Sequence, residues 1–131
     1  MTRHGQDRRY RRELGSTSVE MVLLMPALFA VMFLGMQAAL VYHARTLAIA
    51  SAQEGARAAG AETGTRTAGV AAAQSYLAES AGDALTGAAV TGHRSATAAT
   101  VTVTGQALSV IPGWRPRITQ SASVPVERIT S

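Results

Sequence analysis

Gly15, Ser16 and Glu20 are the residues whose type and spacing carry chemistry in this chain of 131 residues. Gly15 closes a leader holding Arg3, Arg8, Arg9, Arg11 and Arg12, and behind Ser16 an apolar run begins in which Glu20 is the lone acid. A glycine lacks Cβ, so its backbone can enter a peptidase's catalytic site extended and unhindered. Hydrolysis of the Gly15–Ser16 bond, on the basic side of the apolar run, would give Ser16 a free α-amino group and make Glu20 the fifth residue of the shortened chain. There its carboxylate can pair with the amino group of an adjacent subunit, and two charges that are costly in lipid become tolerable together. Such chemistry is done to the protein, not by it.

A plainer account exists for the same residues. Thr17-Ser18-Val19-Glu20 has the pattern of a capping box, in which the threonine hydroxyl and the glutamate satisfy free backbone N–H groups at a helix start. A carboxylate in the first turn also complements the helix dipole. That account leaves unexplained why a glycine precedes Ser16 and why the basic residues stop there.

The element that must position these residues is a membrane-length helix. Residues 21–42 contain no charged residue and are interrupted only by Pro26, Gly35 and Gln37. About 20 such residues cross a hydrocarbon layer of roughly 30 Å, so the chain is expected to cross once. Pro26 withholds the N–H that would bond the Val22 carbonyl, which predicts a kink or a melted turn. Gly35, followed by Met36-Gln37-Ala38-Ala39, offers small residues for close helix contact. Gln37 either hydrogen-bonds a neighbouring helix or fills space.

Charge sets the orientation. Five arginines against Asp7 and Glu13 place +3 of the net +4 in the first fourteen residues. Arginine flanking a first membrane helix holds that end in the cytoplasm, so residues 43–131 are expected outside. Beyond Tyr42 seven arginines face five acids, dispersed and without aromatic interleaving, which argues against nucleic acid as a partner. There is no cysteine, so disulfides and thiolate chemistry are excluded. His4, His43 and His93 have no second ligand at i+3 or i+4, and no metal site or cofactor is legible. With no nucleophile motif, phosphate loop or carboxylate pair, an enzyme is not expected. All twelve basic residues are arginine, which, with heavy Ala, Gly, Thr and Val usage, suggests the coding bias of a GC-rich bacterium.

Four zones follow: a basic cytoplasmic leader without fixed structure (1–15), a transmembrane helix (16–42), its extramembrane extension (43–61) and a small extracytoplasmic α+β domain (62–131). Nothing breaks the helical pattern between Tyr42 and Gln53, so one helix is predicted from near Thr17 to about Ala59, on the order of 65 Å, continuing outside the bilayer. Leu47, Ala48, Ala52, Ala56 and Ala59 form its packing stripe. Glu54 and Arg57, at i,i+3, make an ordinary surface pair worth a few tenths of a kcal/mol. A second short helix is predicted from Arg66 to Ser80, burying Val70, Ala73, Leu77 and Tyr76. Residues 83–96 read as loop. A small antiparallel three-stranded sheet is predicted from Ala99–Thr104, Ala107–Ile111 and Ile118–Ile129, with Pro112-Gly113 as a turn. Pro125, unable to donate a ladder bond, marks an edge strand. The terminal domain has too few large apolar residues to stand alone and should need the long helix or other subunits. Trp114 is expected as a plug under the sheet, with an exposed binding residue as the other reading.

Gly15-Ser16-Thr17-Ser18-Val19-Glu20-Met21, followed by the apolar run with Pro26, resembles the N-terminus of TadE-like pseudopilins of the tight-adherence (Tad/Flp) pilus systems. Ala52-Gln53-Glu54-Gly55-Ala56-Arg57-Ala58-Ala59 is similar to that family's segment just beyond the membrane helix. Met21 departs from it, since an aromatic commonly follows the glutamate there. The resemblance implies a pilin-like fold and a minor pseudopilin cut by a prepilin peptidase between Gly15 and Ser16, then assembled through its N-terminal helix. It implies as partners that peptidase, the major and other pilins, a second TadE/TadG-like protein and, indirectly, the secretion ATPase and its platform proteins. It also marks Glu54, Gly55 and Arg57 as a juxtamembrane motif, and adds docking against the terminal domain or a partner pilin as a second reading for Arg57. The service would be adhesion or secretion. The alternatives are an uncleaved single-pass envelope protein with an extracytoplasmic interaction domain, or a domain released by signal peptidase, for which Tyr42-His43-Ala44 is a poor site.

Overall fold

The computed structural model describes the backbone of residues 4–129 and the side chains of residues 15–129. The leader's arginines and His4 therefore lie outside the described side chains. The elements are α1 (His4–Gly60), α2 (Arg66–Ser80), β1 (Leu85–Arg94), β2 (Ala98–Ala107) and β3 (Arg117–Pro125). α1 begins inside the leader and not near Thr17, which corrects the expectation of an unstructured leader. Gln6 to Leu14 hold no glycine or proline and several good helix formers. The helix also continues through Pro26, so no turn melts there.

The chain divides into two units, Met1–Met36 and Gln37–Ser131. The first is helix. Every residue from Gly15 to Met36 is exposed, including Leu23, Leu24, Leu28, Phe29 and Phe33. α1 contains one stretch long and apolar enough to cross a membrane.

The second unit is two-layered: the C-terminal half of α1 and all of α2 lie on one face of an antiparallel sheet ordered β1-β2-β3. Alternation on β2 settles that face. Ala99, Val101, Val103, Gly105 and Ala107 are buried, with Val101 opposite Ala122 and Gly105 opposite Ile118 on β3. The other face is a polar ladder, Thr100 Oγ1 donating to Ser123 Oγ (2.9 Å) and Thr102 lying 3.0 Å from Ser121. The predicted stripe Leu47, Ala48, Ala52, Ala56 and Ala59 is buried, joined by Ala44 and Ser51. The thin terminal domain thus completes its core with α1, as its composition required.

Where the helices meet, side chains almost vanish. A Cβ on Gly55 would stand 2.7 Å from the Gly69 carbonyl oxygen and 2.9 Å from Ala73 Cβ, and one on Gly69 would stand 2.6 Å from Ala59 Cβ. The Ser51 hydroxyl donates to the Ala73 carbonyl at 2.9 Å within this contact. α2 starts at an N-cap, Thr65, whose side chain accepts from the Ala68 N–H, and it buries Gly69, Ala73 and Leu77. Val70 and Tyr76 are only half-buried.

The strand inventory differs from expectation. Residues 85–94, read as loop, form β1, while Ala107–Ile111, read as a strand, leaves the sheet after Ala107. β1 pairs with β2 along its length, with a bulge between Thr86 and Ala89 that Gly87 makes possible at φ +60°. β3, as Pro125 indicated, is an edge strand.

Candidate processing and assembly segment

Gly15 and Ser16 lie within α1 and are exposed. A Cβ on Gly15 would meet nothing within 4 Å, and the same holds for Gly35. Among the described residues no contact requires glycine at either place, in contrast to Gly55 and Gly69. Thr17 and Glu20 also lie inside the helix. The intact chain offers no helix start there, so the capping-box account loses the free N–H groups it was meant to satisfy. Glu20 is exposed; among the described residues the ion pair is Arg57–Glu54, at 3.7 Å.

The downstream motif separates into two roles. Glu54 and Arg57 face solvent, with Arg57 about 70% exposed, so Arg57 does not dock α1 against its own domain. Gly55 is the packing member, buried against α2 and Val101.

Gln37 has the most specific environment in the segment. Its side chain is 2% exposed. Oε1 accepts from the Val110 N–H at 2.8 Å and the Ser109 hydroxyl at 3.2 Å, and Nε2 donates to the Leu108 carbonyl at 3.3 Å. Its partner is thus the β2–β3 connection, neither a neighbouring helix nor mere filling. That connection is pinned at its base by the Ala107 N–H donating to the Pro116 carbonyl at 2.9 Å. Trp114 lies on it and is 48% exposed, which overturns the plug under the sheet. Leu108, Ile111, Pro112, Trp114 and Arg115 border an open groove of about 470 Å³.

Two residues escaped the sequence reading. Ser51 sits in the alanine stripe, where its small size gave no sign of a buried hydrogen bond. Arg94 ends β1, and its guanidinium donates to the carbonyls of Gly64 and Ala61 just past α1. A cation there complements the carboxyl end of the helix dipole. A lone arginine among small residues was the available signal.

An exposed apolar helical stretch, leading into a helix half that completes a small α+β body, is the build of a helix-anchored protein compatible with a single membrane pass. Residues 15–57 match the family model described as TadE-like protein. The family points to Tad pilus assembly and is a structural one. Residues 58–131, including α2 and the sheet, lie outside the match. No match to a curated protein or to a solved structure was found.

Proposed function

We propose that this chain is a minor pseudopilin of a Tad-type pilus or secretion apparatus, cut after Gly15 by a prepilin peptidase and assembled through the N-terminal half of α1. One observation carries the reading: from Gly15 to Met36 the chain covers none of its own apolar side chains, and the lone acid in that stretch is exposed as well. Lipid and the helices of other subunits are the surroundings that suit it. Gly15 supports the cut, because no contact among the described residues uses its missing side chain. Once Ser16 is the terminus, Glu20 falls in the first turns of the shortened helix, within reach of another subunit's amino group. The arginine-rich end would stay cytoplasmic and the α+β body would lie outside.

The uncleaved anchor keeps one observation in its favour. The Gly15–Ser16 bond is helical in the intact chain, so a peptidase must first unwind it; glycine lowers that cost by about 1 kcal/mol relative to alanine.

Mass spectrometry of the chain extracted from membranes of cells carrying the peptidase decides between them. A mature N-terminus at Ser16, lost in Gly15→Arg, is expected. A polypeptide still carrying Met1 or Thr2 refutes the cut. In the same cells Glu20→Gln should be processed but should not co-purify with partner pilins; undiminished co-purification removes the charge pairing.

A further inference from the structure

We infer that the β2–β3 connection, residues 108–116, is a second membrane contact that seats Trp114 in the lipid headgroup layer. The inference rests on the single-pass reading of α1.

Helix length supplies the first step. Residues 21–42 looked long enough to span, but Gln37 is already buried in the body and Val41 and Ala44 pack with the core. Between Glu20 and Gln37 stand sixteen residues, about 24 Å of helix. The hydrocarbon layer is roughly 30 Å thick. Whether Glu20 is drawn inward or the other end is drawn down, Gln37 lies no higher than the outer hydrocarbon boundary.

Hydrogen bonding supplies the second step. Three bonds tie Gln37 to Leu108, Ser109 and Val110, so the connection is fixed at the level where α1 enters the body. Its composition fits that level. Leu108 is 44% exposed and Trp114 48%, Pro112 and Gly113 are exposed, and Arg115 follows. Tryptophan is enriched at membrane interfaces because an apolar ring carries one polar N–H, and arginine beside it can reach phosphate. Tyr42, exposed on α1, lies five residues past Gln37, about 7.5 Å along the helix. The occupant of this groove is the lipid surface.

Trp114 is the sole tryptophan, so the intact chain reports on itself. The full chain is reconstituted in phosphatidylcholine–phosphatidylglycerol vesicles, with or without lipid brominated near the top of the acyl chains, and washed with alkaline carbonate. The expected result is a vesicle-bound chain with blue-shifted emission that brominated lipid largely extinguishes and aqueous iodide barely touches. Leu108→Glu, at an exposed position, should weaken the lipid quenching while the chain stays bound. A bound chain whose emission yields to iodide and not to brominated lipid overturns the inference and leaves the anchor standing. Protection from both quenchers also overturns it, in favour of a protein partner such as a second copy. A chain stripped off by carbonate refutes the anchor and this contact together.

Discussion

Gly35 and Gly55 are both glycines on α1, yet they should respond oppositely to one added methyl group. A Cβ on Gly55 would be forced against the Gly69 carbonyl, Ala73 and Val101 Cγ1 at 2.7–3.0 Å. Two of these belong to an adjoining helix and one to the sheet, so none can give without moving a neighbour. Gly55→Ala should destabilise the full chain by about 1–3 kcal/mol, the usual cost of overfilling a packed interior. Gly35→Ala meets nothing within 4 Å and should leave stability unchanged or raise it through helix propensity. Thermal unfolding in detergent measures both; equal losses would mean the helices can spread apart at Gly55. The sequence marked Gly55 only through family likeness, because tight approach is a property of two segments and α2 was read separately. Glu54 and Arg57 were legible as a surface pair from spacing alone. Trp114 was expected under the sheet because it is the one large aromatic there and so large a ring usually buries most of its area, yet it is 48% exposed.

At the scale of elements, Gln37 joins a helix to a loop more than seventy residues away. Gln37→Leu keeps the bulk and removes all three bonds, leaving the part-buried Val110 N–H and Leu108 carbonyl without their partner, at a cost of about 0.5–1.5 kcal/mol for each bond lost. Amide exchange in residues 108–111 should accelerate in this variant while Val101 and Val103 in β2 stay protected; acceleration throughout the sheet would show that the loop supports the whole body. No periodicity in an apolar run announces such a partner. β1 was hidden for another reason. Leu85–Arg94 has one buried residue, two glycines and no regular apolar/polar alternation, so the signal that exposed β2 and β3 has nothing to display. α2, by contrast, matches the expected span from Arg66 to Ser80, and Thr65 caps its start.

For the molecule as a whole, the boundary between Met36 and Gln37 separates what folds from what must be covered by something else. A chain beginning at residue 37 should fold and show cooperative unfolding by circular dichroism. One beginning at residue 62, the start of the domain suggested by composition, should not, because it lacks Ala44, Leu47, Ala48, Ala52, Ala56 and Ala59 from its core. Cooperative unfolding of the shorter chain would mean that the sheet and α2 hold together without α1. The tie at Gln37 also has a mechanical meaning. When the apolar stem is drawn along its axis, the pull reaches Gln37 before any other residue of the body. It then divides between the α1 backbone and the hairpin that joins the two longest-paired strands. Because β2 and β3 are laced along nine consecutive pairs, the hairpin resists as a unit, and a tug on the anchor becomes a load shared across the sheet.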